Sequence, residues 1–215
     1  MSARPHARLV VFDLDGTITR RDTLVPFLLG WLARKPGRVV FLPLVAVAAA
    51  RFCFDRDRGR LKSSLIRSIL GRASRDELRD YAERFADRLL PSGCLAPALE
   101  EIRKQRETGA HMVLLSASPD LYVPIIAERL GFGHCICTQV SWRGELLEGR
   151  LLSANRRGEE KARVVRELLE AHADCASWAY GNSRSDLPHL LLVDNAFAIN
   201  LRGALPPTVK YLRWF

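Results

Sequence analysis

The run Phe12-Asp13-Leu14-Asp15-Gly16-Thr17 sets two carboxylates two residues apart, directly after apolar residues, with a glycine and a hydroxyl following. Three more clusters carry related groups: Ser116-Ala117-Ser118, Lys161, and Gly181-Asn182-Ser183-Arg184-Ser185-Asp186. Together they suit phosphoryl transfer. A phosphomonoester is dianionic and repels nucleophiles, so its hydrolysis needs a cation to neutralise it and an attacker placed in line. Asp13 can be that attacker, giving an acyl phosphate that water then cleaves. Asp15 faces the same loop and can protonate the leaving oxygen, then activate the water. Thr17, Ser116 and a lysine supply hydrogen bonds and positive charge to the phosphoryl oxygens, where transition-state charge spreads. The oxygen ligands at the far cluster suit magnesium.

These groups need a scaffold that brings them to one place. Arg8–Phe12 (RLVVF) is a short apolar run that stops at Asp13, as a buried parallel strand does. His111–Leu115 stops at Ser116, Ala176–Tyr180 stops at Gly181, and Ala196–Asn200 reads as a fourth strand. Helical patterns lie between them over Asp120–Leu130, Glu159–Ala171 and Ser185–Val193. Strands alternating with helices predict an α/β fold with a parallel sheet and helical crossovers. In such a sheet reactive groups gather at the carboxyl ends of the strands. All four clusters fall at or just after such ends. Val140–Leu152 breaks the rhythm and reads as a β-hairpin. Residues 19–106 differ in kind: they are rich in Arg, Leu and Ala, with almost no strand signal. Amphipathic helices are expected over Leu61–Leu70 and Arg75–Leu90, the second opened by a Ser74/Glu77 capping box. This stretch reads as a helical insertion between the first and second core strands, leaving 1–18 and 107–215 for the core.

A chain with 48% hydrophobic and 27% charged residues can bury a real core. Its five cysteines (Cys53, Cys94, Cys135, Cys137, Cys175) are odd in number and scattered, which favours reduced thiols and a cytoplasmic setting. His134, Cys135 and Cys137 are close enough to suggest a metal, but no second ligand pair lies at zinc-finger spacing. Small buried residues at a strand end are the better reading. The N-terminus enters a strand without a secretory h-region or cleavage site. The net charge of +9 is uneven: residues 18–108 carry 19 Lys/Arg against 11 Asp/Glu. A phosphate-bearing partner fits that excess. No helix-turn-helix, zinc finger or aromatic stacking motif supports nucleic acid. Anionic lipid is the other candidate. Ten basic residues fall between Arg20 and Lys62, around the apolar run Val39–Phe54. That run has 16 positions, short of the roughly 20 a bilayer span needs. Val39–Phe54 therefore reads in one of two ways: as an interfacial segment on the inner face of a membrane, or as a helix buried inside the insertion with its arginines merely solvated.

The four clusters, in this order, resemble the motifs of the haloacid dehalogenase superfamily over essentially the whole chain. Phe12–Thr17 is similar to its first motif, Leu115–Ser118 to its second, Gly158-Glu159-Glu160-Lys161 to its third and Gly181–Asp186 to its fourth. The resemblance implies a Rossmann-like core with the insertion as a helical cap, near the phosphoserine-phosphatase branch (subfamily IB). It implies Asp13 as nucleophile and Asp15 as acid/base. It also implies magnesium held by the Asp13 side chain, the Asp15 carbonyl, and Asn182 and Asp186 of the fourth motif. Thr17, Ser116, Ala117 and Lys161 would contact the phosphate. Asp22 sits where phosphoserine phosphatases carry an acidic residue facing the substrate amine. The early apolar-basic segment and the run Arg157–Lys161 also look like bacterial members of phosphatidylglycerophosphatase type.

Two departures stand out. The fourth motif usually begins Gly-Asp, and here Asn182 replaces the aspartate, which removes a negative charge from the metal site. Arg157 lies one helical turn before Lys161 and competes with it for the phosphate, Lys161 being preferred. Arg60, Lys62 and Arg67 are candidates to meet a second anionic group on the substrate. The expected activity is hydrolysis of a small phosphate ester or a phospholipid headgroup phosphate. The alternative is a non-catalytic phosphate-ligand-binding protein on the same fold, with a weakened metal site. Dehalogenase or phosphonatase chemistry is a further alternative, disfavoured by Asp15.

Overall fold

The computed structural model describes residues 7–215. The first six residues, which the expected core segment 1–18 includes, lie outside them. Six strands form one parallel sheet: β1 (Arg8–Phe12), β2 (His111–Pro119), β3 (His134–Thr138), β6 (Ala176–Gly181), β7 (Asn195–Ile199) and β8 (Val209–Leu212). Their order is β3-β2-β1-β6-β7-β8, with β1 central between β2 and β6. The α/β expectation holds.

The period of two along β1 explains why both faces are covered. Val10 and Phe12 pack into one apolar cluster, Leu9 and Val11 into another on the opposite face, and all four are fully buried. Phe12 stacks on Tyr180 of β6 with centroids 4.4 Å apart. Helices α5 (Ala96–Glu107), α6 (Val123–Leu130) and α7 (Glu159–Ala171) supply the layers. Tyr180 Oη donates to Glu101 of α5 at 2.6 Å, tying that helix to the sheet.

The differences from expectation are local and have physical causes. β8 has a weak apolar pattern (VKYL), half exposed as an edge strand, so the sequence does not announce it. The helix expected over Ser185–Val193 is a single 3₁₀ turn, Arg184–Asp186, followed by the short α8 (Leu187–Leu190). Pro188 in its first turn cannot donate back to the preceding turn, which sets the break there. The helix expected from Asp120 starts at Val123, with Pro124 in its first turn.

Between β1 and β2 the chain is helical: α1 (Leu24–Arg34), α2 (Leu42–Asp55), α3 (Arg58–Leu70), α4 (Arg75–Gly93) and then α5. Ser74 and Glu77 make the expected capping box at the start of α4. The hairpin β4 (Val140–Arg143) and β5 (Leu146–Leu151) is antiparallel and leans on this insertion. Arg72 N donates to Leu147 O at 2.8 Å, and Leu147 N donates to Ala73 O at 2.9 Å.

Two readings of the insertion are overturned: Val39–Phe54 is not a buried helix, and the helical run that contains it is not too short to span a bilayer. A 3₁₀ segment, Pro36–Phe41, runs directly into α2, making a helical run of 20 residues that is long and apolar enough, by length and composition, to cross a membrane. Ala48 is the only residue of α2 that is buried.

Candidate active site

The strand ends meet over one cavity of about 510 Å³. Asp13, Asp15, Asp22, Ala117, Lys161, Asn182 and Asp186 all line it. Thr17 and Ser116 lie beneath its floor, each fully buried. Lys62 and Arg157 also face it, whereas Arg60 pairs with Asp55 and Asp57 and Arg67 lines separate grooves.

Asp13 follows the last residue of the central strand, and its amide donates to Tyr180 O of β6 at 3.0 Å, which holds the backbone in line with the sheet. Its carboxylate is 6% exposed. Thr17 Oγ1 donates to one oxygen at 2.9 Å and Lys161 Nζ to the other at 2.5 Å. The loop reverses at Gly16, which has φ +79. A Cβ there would lie 1.9 Å from Asn182 Nδ2, so both backbone shape and close approach call for glycine.

Lys161 sits in the first turn of α7, 2% exposed, and also donates to Asp186 Oδ1 at 2.8 Å. Asp186 in turn accepts from Ser183 N at 3.0 Å and Ser183 Oγ at 2.6 Å. A buried lysine survives charged only beside such partners. Burial alone would lower its pKa, but Asp13 and Asp186 raise it above the ordinary lysine value. Burial pushes the Asp13 carboxyl up to about 7; Lys161 opposes this, while Asp186 and Asp15 add to it by repulsion. Asp186 goes the other way, to about 2, because Lys161, His189 and the Ser183 bonds outweigh its burial.

Asp15 is clamped by residues that its motif does not contain. Thr23 donates to Oδ1 through its amide (2.8 Å) and hydroxyl (2.6 Å), and Ser118 Oγ donates to Oδ2 at 2.6 Å. Tyr122 Oη backs Thr23 at 3.0 Å. Burial raises the Asp15 pKa against these hydrogen bonds. A carboxyl with a raised pKa and a fixed rotamer is suited to giving and taking a proton. Ser118 was visible as a neighbour of Ser116; nothing local marks Thr23 as its counterpart. Ser116 Oγ accepts from Ser118 N at 3.0 Å and shapes this loop. Asp22 spends one oxygen on the amides of Leu24 and Val25, opening α1, and is exposed at the cavity mouth.

Lys62 is the insertion's deepest contribution. Its ammonium donates to the carbonyl of Ala117 and, at 2.7 Å, to Asn155 Oδ1. Burial lowers its pKa to about 8.

Among the described residues, no three His, Cys, Asp or Glu side chains form a ready-made metal cluster. The available donors are nevertheless oxygens: the Asp13 and Asp186 carboxylates, the Asn182 amide and the Asp15 backbone carbonyl. That set matches a hard divalent cation such as magnesium. Burial of the Asp13 carboxylate beside the like charges of Asp186 and Asp15 fits the same group.

The family model for haloacid dehalogenase-like hydrolases matches residues 10–191. The chain belongs to that family. Protein CicA of Caulobacter vibrioides is 35% identical over 188 residues, 86% of this chain and 83% of that protein. Phosphoserine phosphatase SerB1 of Mycobacterium tuberculosis is 28% identical over 212 residues, 94% of this chain and 68% of that one. A Bordetella pertussis protein of unknown function shares the fold with a TM-score of 0.76 at 23% identity, over 91% of each chain. The family model makes the chain a haloacid dehalogenase-like hydrolase, and relatives named as phosphatases align along nearly its whole length.

Proposed function

We propose that this chain hydrolyses a phosphomonoester with magnesium, through a phospho-aspartyl intermediate on Asp13. The observation that carries this reading is the buried Asp13 carboxylate, held by Lys161 and Thr17 beside an independently clamped Asp15. Asp13 attacks the phosphorus, and Asp15 protonates the departing alkoxide; Asp15 then takes a proton from the water that opens the aspartyl phosphate. Lys161 and Thr17 hold Asp13 in one rotamer, and Lys161 balances charge on the transferring group. Asp13, the Asp15 carbonyl, Asn182 and Asp186 are the residues that would hold magnesium, which when bound neutralises phosphate charge. Helices α1 to α3 would act as the cap, with Lys62 reaching the substrate. Hydrolysis of a generic aryl phosphate that requires magnesium and stops on chelation tests the reading; phosphate-ligand binding without turnover would favour the non-catalytic alternative. All five cysteines are free, in keeping with a cytoplasmic setting.

The substrate is an anionic ester. Arg20, Arg21, Arg58, Lys62 and Arg157 surround the reacting groups. Either a small phosphate ester or a headgroup phosphate fits this rim, the second favoured by the apolar Phe52 and Leu61 in the same wall. Lys62 gives a pH signature. Below about 8 it is charged and attracts the ester; above that it is neutral. kcat/KM should therefore fall as pH rises through about 8, and Lys62→Arg, whose guanidinium stays charged, should remove the fall. An unchanged profile in the variant would exclude Lys62 from substrate binding.

Asn182 makes a second expectation. As a neutral ligand it holds the metal less tightly than a carboxylate, so Asn182→Asp should lower the magnesium concentration giving half-maximal activity. An unaltered magnesium titration would put Asn182 outside the coordination sphere and leave Asp186 as the ligand.

A further inference from the structure

The run Pro36–Asp55 exposes more apolar surface than its fold requires. Its inward stripe, Val45, Ala48 and Phe52, faces the rest of the insertion, whereas Val40 (71% exposed), Leu44 (56%), Val47 (52%) and Phe54 (89%) recur at helical spacing beside it, Leu44 and Val47 on the outer lip of the α2–α3 groove. A contiguous apolar face of this kind marks a contact site.

Charge says what covers it. No acidic residue occurs from Thr23 to Phe54, and over residues 34–58 six basic residues (Arg34, Lys35, Arg38, Arg51, Arg56 and Arg58) stand against two acidic ones, Asp55 and Asp57. Arg51, Arg56 and Arg58 are exposed, and Arg51 sits on the apolar face itself, between Val47 and Phe54, where its stem can lie along apolar surface and its head reach out. A second copy of the chain would bring two such basic faces together. A surface of lipid phosphates would complement them. The run also lies flat rather than standing free. Arg38 donates to the carbonyls of Ile69 at 3.0 Å and Gly71 at 2.6 Å, which pins the start of the run to the end of α3. Crossing a bilayer would break those bonds.

We propose that the outward face of Pro36–Asp55 docks on an anionic bilayer, its apolar side chains entering the headgroup boundary and its arginines meeting lipid phosphates. Phe52 and Leu61 line both the α2–α3 groove and the catalytic cavity, so the groove that Leu44 and Val47 border on the docked side shares a wall with the cavity. The docking itself does not depend on the phosphatase reading.

Co-sedimentation of the full chain with vesicles of phosphatidylglycerol and phosphatidylcholine, against phosphatidylcholine alone, tests it. The parent should sediment with the anionic vesicles and be released as salt rises through screening. Leu44→Glu with Val47→Glu, both exposed and outside the catalytic cavity, should weaken binding on the order of tenfold or more while aryl-phosphate hydrolysis continues at the parent rate. Arg51→Glu with Arg56→Glu should weaken it likewise, through charge alone. Four results would overturn the proposal. The parent could stay in the supernatant with both vesicle types at low salt. Neither double variant could weaken binding. Binding could be salt-independent and equal on neutral vesicles, which would indicate insertion across the bilayer. Light scattering could show a dimer that Leu44→Glu with Val47→Glu dissolves, which would make a second copy the occupant. Absence of hydrolysis in parent and variants alike would count against the phosphatase reading and leave the vesicle result standing.

Discussion

Asp13→Asn is expected to lower turnover on the order of 10⁴-fold or more while leaving the fold intact. The amide is a far poorer nucleophile than the carboxylate, and it removes one charge from the proposed magnesium ligands. The structure explains why the fold should survive. Lys161 keeps its second partner, Asp186 at 2.8 Å, and the amide can turn its oxygen to accept from Lys161 while its NH2 donates to the Thr17 hydroxyl. Thermal unfolding of parent and variant should therefore nearly coincide. Steady-state rates on an aryl phosphate with magnesium present read the effect. Retention of more than a few per cent of the parent rate by a folded variant would remove Asp13 from the nucleophile's role.

Lys161→Met should damage both activity and stability. Methionine fills similar volume but leaves Asp13 and Asp186 buried without their cation. Breaking a buried pair in this way costs about 3–5 kcal/mol, and losing the charge at the phosphoryl group should cost on the order of 10²–10³ in kcat. The stability loss carries a pH sign. Without the ammonium, the two carboxyls have folded pKa values raised above their unfolded ones, so the folded state binds more protons and stability falls as pH rises. The melting deficit should be largest near neutral pH and above and shrink in mild acid as the carboxyls protonate. Magnesium should restore part of it by replacing the missing charge. A deficit that neither shrinks in acid nor responds to magnesium would mean that packing, not charge, is what Lys161 supplies.

The catalytic groups were legible because their chemistry coincides with breaks in apolar pattern. RLVVF ends at Asp13 and HMVLL at Ser116, so period and residue type point to the same strand ends. Lys161 followed from the helix that places it, and the structure puts Lys161 rather than Arg157 against Asp13. What the sequence hides is contact made only by folding. Thr23 clamps Asp15 from the start of α1, and Lys62 reaches the Ala117 carbonyl across 55 positions of chain. No local pattern encodes either. Val39–Phe54 shows a different limit. Its composition says apolar, but whether an apolar helix lies inside or outside depends on what else competes for the core, and α1, α3 and α4 fill it here with Phe27, Ile66 and Tyr81. Edge strand β8 was missed for the converse reason, since a half-exposed strand needs little apolar signal.

The central claim is a covalent phosphoryl group on Asp13. Enzyme quenched with acid during steady-state turnover, reduced with borohydride and digested, can be sequenced by mass spectrometry. Borohydride converts an acyl phosphate to an alcohol, so homoserine should appear at position 13, only in samples quenched with substrate and magnesium present, and not in Asp13→Asn. Rapid turnover with aspartate unmodified at position 13, or with the reduced residue at another carboxylate such as Asp15, would contradict the account.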